Sequence, residues 1–147
     1  MSSSIRPFQI DLARFLLRVI VGIVFFAHGW QKFFAFTIPG TQGAFAKMHV
    51  PAAELAAPAM ASLELVGGAL LVVGLLARIA AGLLALEMLG AVVLVHARSG
   101  LFVDQGGMEL ALLLAAAAAA IALMGAGRFS LDHAVFGRRG GRLAVLA

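Results

Sequence analysis

The sequence predicts an all-α integral membrane protein, a four-helix bundle with both termini in the cytoplasm. Three observations predict it: 63% of the 147 residues are apolar and 12% are charged, four long apolar stretches follow one another, and the basic residues are unevenly divided among the segments between them. Ordinary soluble domains are about 45–50% apolar and about 25% charged. The composition therefore excludes a disordered chain, a fibrous repeat and an ordinary soluble enzyme, and indicates a bilayer as the surroundings.

The four apolar stretches are each long enough to cross the hydrocarbon core as a helix, which takes about 20 residues. We place these spans at about residues 8–36, 52–76, 78–97 and 108–126. The first stretch is too long for a cleaved signal peptide and has arginines inside it. All 147 residues are therefore interpreted as a single transmembrane domain.

The segments between the spans contain turn-forming residues. Residues 37–43 end the first span, and residues 44–50 are predicted to form a short interfacial helix. Residues 74–78 are so few that the second and third spans are predicted to form a tight antiparallel hairpin. After the fourth span, residues 128–147 form a basic tail, in which Ser130 is the predicted N-cap of a short helix.

Lysine and arginine predict the orientation. Four spans place both termini and the middle hairpin on one side, which carries eight of the eleven basic residues. These eight are Arg6, Arg14, Arg18, Arg78, Arg128, Arg138, Arg139 and Arg142, against Lys32, Lys47 and Arg98 on the other side. Because basic residues favour the cytoplasmic side, this side and the 128–147 tail are assigned to the cytoplasm of a bacterial inner membrane. The formal net charge of +4 fits membrane orientation, and no nucleic acid is expected as a partner.

Ionisable residues inside the spans are the candidates for function, since a charge at membrane depth costs about 3 kcal/mol or more. Arg18, Glu64 and Glu87 are the candidates nearer the cytoplasm. Counted along the helices, Arg18 and Glu87 match in depth, and Glu64 near the midplane is a second candidate partner for Arg18. This group is interpreted either as a structural ion pair that fixes helix register or as part of a proton or redox path.

A second polar group is predicted in the outer third of the bundle. It comprises His28, Lys32, His96 and Glu109, with Glu64 placed to position a ligand or relay a proton. Lysine and histidine could donate hydrogen bonds to a carbonyl oxygen, and Glu109 could exchange a proton, which suits an anionic or quinone-type head group. The histidines and the carboxylate have no local metal-ligand spacing, and the chain has no cysteine, so no metal site is expected.

Four sequence elements carry a resemblance to a known family. They are His28-Gly29-Trp30-Gln31-Lys32-Phe33-Phe34; Glu64-Leu65-Val66-Gly67-Gly68 with Gly74-Leu75-Leu76-Ala77-Arg78; Gly107-Met108-Glu109-Leu110-Ala111-Leu112; and Gly125-Ala126-Gly127-Arg128-Phe129-Ser130-Leu131-Asp132. In this order along a four-span chain they resemble the DoxX family of small bacterial membrane proteins, over roughly residues 12–132.

The resemblance implies a four-helix membrane protein with a link to redox chemistry. Members of that family are associated with thiosulfate:quinone oxidoreductase subunits, with membrane oxidoreductase complexes, and with tolerance of quinones and thiol stress. The chain has no cysteine, so any sulfur chemistry would need a thiol or cofactor from elsewhere or the substrate's own sulfur.

Three functions remain open at this point. The first is a redox-linked membrane protein that binds a quinone or similar small hydrophobic ligand in the outer half of the bundle, as an enzyme subunit or beside one. The second is a non-enzymatic scaffold or assembly subunit whose basic tail docks a redox-complex partner or anionic lipid. The third is a small-molecule transporter, which would require a homo-oligomer because four helices leave little room for a pathway.

Overall fold

The described part of the chain, residues 5–136 of a computed structural model, is entirely helical apart from its turns and loops. Its helices are α1 (Ile5–Trp30), which continues as a π-helical turn (Gln31–Ala35); α2 (Ile38–Lys47); α3 (Ala53–Val73); α4 (Ala77–Ala91), which continues as a π-helical turn (Val92–His96); a 3₁₀ turn (Val103–Gln105); α5 (Glu109–Met124); and α6 (Leu131–Phe136). The all-α fold predicted from the composition is confirmed.

The four long helices pack in a closed ring. Helix α1 contacts α3 and α5, and α4 contacts the same two helices from the other side. Alanine side chains form much of the α4–α5 contact, since Ala81, Ala85, Ala115 and Ala118 are all buried. We call the end that carries the α3–α4 turn and α6 the hairpin end. The opposite end, with α2 and residues 97–108, is the loop end.

Each long helix falls within or close to one of the four predicted stretches, and α3 and α4 are joined by the predicted tight turn. The segments Ala53–Val73 and Ala77–His96 are long and apolar enough to cross a membrane, whereas Glu109–Met124 is apolar but shorter. The prediction for α2 was wrong in its bounds. The helix begins at Ile38 because the Thr37 hydroxyl accepts the N–H of Gly40 and Pro39 fits the first turn.

Large apolar side chains cover the outside of the bundle. Leu86 and Leu113 are each 67% exposed and Leu123 is 80% exposed. Exposing so much apolar surface to water would be unfavourable, and monomeric soluble proteins expose few large contiguous apolar patches. The outward-facing leucines therefore match a hydrocarbon environment around the ring of helices.

Helices α1 and α3 touch backbone to backbone at three glycines. A Cβ atom added at Gly68 would lie 2.4 Å from the Phe26 amide nitrogen, and one at Gly29 would lie 2.4 Å from the Leu65 nitrogen. A Cβ at Gly22 would lie 2.8 Å from the Gly68 carbonyl oxygen. Small residues are required here because lipid removes the hydrophobic drive for helices to associate, which leaves close packing to hold them.

The hairpin end is held by charged side chains that cap helix ends. Asp132 is 0% exposed, and its carboxylate accepts the N–H groups of Leu76 (2.7 Å) and Ala77 (2.9 Å) at the start of α4. Arg18 is 1% exposed, and its guanidinium donates to the carbonyls of Leu71, Val72 and Phe129. A negative group thus sits at a helix N-terminus and a positive group at a C-terminus, as the helix dipole favours.

The expected pair between Arg18 and Glu87 does not form, and Glu64 is not a partner of Arg18 either. Helix α1 begins at Ile5, so Arg18 is level with Leu71, where α3 ends. Glu87 is ten residues into α4, about 15 Å farther along the bundle at 1.5 Å per residue. The expected depth was wrong because the starts of α1 and α4 were taken to be level, whereas α1 begins 13 residues before Arg18 and so extends past the α3–α4 turn.

The tail is described as far as Phe136. Ser130 caps α6 as predicted, since its hydroxyl accepts the N–H of His133 at 3.1 Å. The basic residues Arg138, Arg139 and Arg142 lie outside the described residues.

Candidate functional site

A cavity of about 310 Å³ lies at the loop end of the bundle, bounded by α1, α3, α4, α5, and by α2 with the residues after it. Its walls are mainly apolar. The large apolar residues that line it are Phe25, Phe45, Met48, Val50, Met60, Met88, Leu94, Val95, Val103, Leu110 and Leu114. Small-molecule sites range from about 300 to 1,000 Å³, and a cavity of about 150 Å³ suffices for benzene. The volume is therefore sufficient for a substituted single ring.

Five ionisable side chains meet in this cavity. They are His28, Lys32, Glu64, Glu87 and His96. Four of them belong to the outer group expected from the sequence, and Glu87 joins them from the group expected to lie nearer the cytoplasm. A mainly apolar cavity with a few convergent polar groups is the usual form of a small-molecule site.

Lys32 and Glu64 form a buried ion pair across the α1–α3 interface. The Lys32 ammonium lies 2.5 Å from a carboxylate oxygen of Glu64, and Glu64 is 4% exposed. Lys32 lies in the π-helical turn after α1, and its carbonyl accepts the Thr41 hydroxyl of α2 at 3.2 Å. Wide turns of this kind are frequent at functional sites, because they reorient a side chain within a helix.

His96 lies in the second π-helical turn and connects the cavity to the loop. Its Nδ1 lies 2.7 Å from the Gly106 carbonyl oxygen. A carbonyl oxygen can only accept, so Nδ1 carries the hydrogen and, in the neutral ring, Nε2 is an acceptor. His28, half-buried on α1, also lines the cavity.

Glu87 is a second buried carboxylate in the cavity, and it takes no part in the ion pair between Lys32 and Glu64. It is 9% exposed and lines the cavity, and its Oε2 has no hydrogen-bond partner in the part of the chain that the structure describes. A buried polar atom without a partner costs about 1–3 kcal/mol, more when charged.

Glu109 does not line the cavity. Its carboxylate accepts the N–H of Val103 at 2.7 Å, and its own N–H donates to the Leu101 carbonyl at 2.9 Å. The 3₁₀ turn folds back over the start of α5 and places Glu109 against the loop. Glu109 is therefore assigned to the loop, in place of the proton-exchange role that the sequence suggested.

The contribution of α2 and the residues after it to the cavity was not predicted from the sequence. Phe45, Met48 and Val50 close one side of the cavity, although none carries a chemical signal. Residues 44–50 were expected to lie at the interface. Their apolar side chains at positions 45, 48 and 50 were the available sign that this segment packs inward.

Comparison with known proteins identifies the relatives. The family model described as DoxX matches residues 13–97. This range includes every ionisable side chain that lines the cavity. No solved structure matches the chain.

Three curated proteins are similar to the chain. "Putative oxidoreductase CatD" of Bacillus subtilis is 35% identical over 136 residues, which cover 92% of this chain and 96% of that protein. "Uncharacterized membrane protein Rv3486" of Mycobacterium tuberculosis is 40% identical over 83 residues, 56% of this chain and 50% of that protein. An "Uncharacterized protein" of Haemophilus influenzae is 35% identical over 126 residues, 82% of this chain and 88% of that protein.

Proposed function

The chain is a membrane protein of the DoxX family, and from that premise we propose that it binds a small ring compound of the quinone or hydroquinone class in the loop-end cavity, as part of a redox pathway. The observation that carries the proposal is the cavity itself, where five ionisable side chains meet inside mainly apolar walls. The apolar walls suit a ring dissolved in the bilayer. The polar side chains suit its oxygen substituents.

The proposal divides the chemistry between this chain and a partner. The cavity residues would orient the ring and exchange protons with its oxygens, for which carboxylates and histidines are suited. The chain has neither cysteine nor tyrosine, so its own side chains offer no thiol or phenol for electron transfer. Electrons would therefore pass to or from a partner redox protein, and the name of the Bacillus subtilis relative supports an oxidoreductase context.

The same proposal includes the membrane arrangement. All four long helices would cross a bacterial inner membrane, with the hairpin end at the cytoplasm. Arg14, Arg18 and Arg78 lie at or near the hairpin end, and the greater share of basic residues supports this orientation. The cavity would then lie in the outer half of the bundle, within reach of ring compounds dissolved in the membrane.

Filling the cavity is expected to abolish ligand binding. Gly90 on α4 lines the cavity, and a Cβ added there meets nothing within 4 Å. Gly90→Leu therefore places a side chain in open space beside the proposed ligand, and we expect the affinity for short-chain ubiquinone to fall at least about tenfold, which corresponds to 1.4 kcal/mol. The affinity is measured by isothermal titration calorimetry of the detergent-purified protein. The oxidised and the reduced form of the probe are titrated separately.

Gly82→Leu is the matched control. Gly82 lies on the same helix and also has open space around it, but it does not line the cavity. We expect it to keep the affinity of the unaltered chain. If neither redox form binds the unaltered protein, or if both leucine variants bind equally well, the proposed function is wrong.

A further inference from the structure

We propose that the cavity takes a ring compound that carries an alkyl chain, with the ring deep in the cavity and the chain in an apolar mouth at the loop end. The mouth is formed by Met48, Leu94, Val103 and Leu110. This rests on the proposed function and deepens it, because it names a lipid-tailed ligand within the quinone class. Three features of the cavity carry the inference: the depth of its carboxylates, its length and the chemistry of its exposed lining.

The two carboxylates lie at the deep end of the cavity. A Cβ atom added at Gly67 of α3 would lie 3.2 Å from the Leu84 side chain of α4, so these two residues are level. Because α3 and α4 are antiparallel, three residues farther toward the loop end Glu64 and Glu87 are level with each other. Both are buried. Ring oxygens that reach Glu64, Glu87 or the Lys32 ammonium therefore lie deep in the cavity.

The cavity continues from this deep end to the loop end. Along α4 and its π-helical turn, the lining extends from Glu87 to Leu94, seven residues later and about 10 Å farther at 1.5 Å per residue. The volume of about 310 Å³ is roughly twice that of a cavity that holds benzene. A single ring placed against the carboxylates therefore leaves the loop-end part of the cavity unfilled.

The mouth presents only apolar side chains. Of the described residues that line the cavity, four are exposed, between 39% and 53%, and these are Met48, Leu94, Val103 and Leu110. The ionisable lining residues are buried or half-buried. The four exposed side chains can pack on a hydrocarbon chain, and they offer no strong hydrogen bond to a polar substituent.

An alkyl chain on the ring would fill the space that the ring leaves and continue into the hydrocarbon around the helices. The gain would come from close packing, because lipid is as apolar as the mouth itself. A ring without a chain forgoes the contacts with the mouth side chains. The arrangement thus separates the ligand into a polar ring, held by charged groups, and a chain, held by apolar ones.

The test compares decylubiquinone with the same quinone ring carrying no chain. Binding of each probe to the detergent-purified full chain is measured by calorimetry. The decyl chain also partitions into the detergent, but it does so equally for every variant. The change in affinity between variants therefore reports contacts of the chain with the protein.

Tryptophan at the mouth is expected to displace the chain. Leu94→Trp combined with Leu110→Trp narrows the mouth from two neighbouring helices, and we expect the affinity for decylubiquinone to fall at least about tenfold. The probe without a chain should keep its affinity within about twofold, because both substitutions lie away from the carboxylates.

Leu86→Trp combined with Leu113→Trp is the matched control. Leu86 lies on α4 and Leu113 on α5, both are 67% exposed, and neither lines the cavity. This control should leave both affinities unchanged. The single variants Leu94→Trp and Leu110→Trp are measured as well, so the answer does not depend on folding of the double variant.

The outcomes separate the two proposals. If the mouth variants leave decylubiquinone binding unchanged, or weaken both probes equally, the chain does not occupy the mouth and this inference is overturned while the proposed function stands. The same holds if only the probe without a chain binds the unaltered protein. If only decylubiquinone binds, its loss in the mouth variants but not in the control supports the inference. If neither probe binds the unaltered protein, the proposed function fails and this inference fails with it.

Discussion

Gly68→Ala is expected to force α1 away from α3 and to destabilise the protein by about 1–3 kcal/mol, the usual range for overpacking. The added Cβ would lie 2.4 Å from the Phe26 nitrogen and 2.7 Å from the Gly22 carbonyl oxygen. Both atoms belong to the backbone, so no side chain can rotate away to make room. Thermal unfolding in detergent, followed by circular dichroism, measures the change.

Gly82→Ala supplies the control for this substitution, with an effect of opposite sign. A Cβ at Gly82 meets nothing within 4 Å, and alanine favours a helix interior over glycine by up to about 1 kcal/mol. We expect unfolding to shift slightly upward for Gly82→Ala and clearly downward for Gly68→Ala. Equal melting temperatures for the two variants would contradict the close approach of α1 and α3.

Lys32→Met is expected to destabilise the protein by about 3–5 kcal/mol, because it leaves the buried carboxylate of Glu64 without its counter-charge. Glu64 is 4% exposed and the ion pair is 2.5 Å long. The same unfolding experiment measures the loss. Lys47→Met is the control, since Lys47 is exposed on α2, and we expect it to change stability little.

A double variant measures the interaction between the two charges apart from the effect of each single substitution. Lys32→Met combined with Glu64→Gln removes both charges, so it should be less destabilised than Lys32→Met alone, which leaves one charge buried. If the two effects simply add, the residues do not act as a pair and the electrostatic description of the cavity is wrong.

Most of the helical architecture could be predicted, because apolar length is a strong signal in a chain with 12% charged residues. The tight turn between α3 and α4 could also be predicted, because few residues lie between the two apolar stretches. The relative positions of the helix ends could not be predicted, because the residues that begin α1 do not report how far this helix extends past the α3–α4 turn. Arg18 was therefore misplaced relative to Glu87.

The candidate site was predictable in its residue types but less so in its geometry. His28, Lys32, Glu64 and His96 do line one cavity. Their hydrogen-bond roles depend on contacts with backbone atoms far along the chain, such as that of His96 with Gly106. The spacing of residues along the sequence does not report such contacts.

Glu109 and Asp132 belong to the family-like sequence elements, and each holds a turn through a hydrogen bond to a backbone N–H. Glu109 was assigned to the ligand from its depth, yet its carboxylate holds Val103 in the turn that precedes α5. Asp132, the last residue of the fourth family-like element, caps α4, which begins 55 residues earlier. Motif residues at helix ends in this fold serve largely to close the turns.

Photolabelling tests the central claim, ligand binding in the loop-end cavity, most directly. A short-chain quinone carrying a diazirine would be irradiated with the purified protein, and the labelled residues identified by mass spectrometry. We expect label on cavity-lining residues such as Met60, Glu87, Met88 and Leu94, suppressed by excess unlabelled quinone. Label confined to outward-facing residues such as Leu86 and Leu113, and unaffected by competitor, would contradict it.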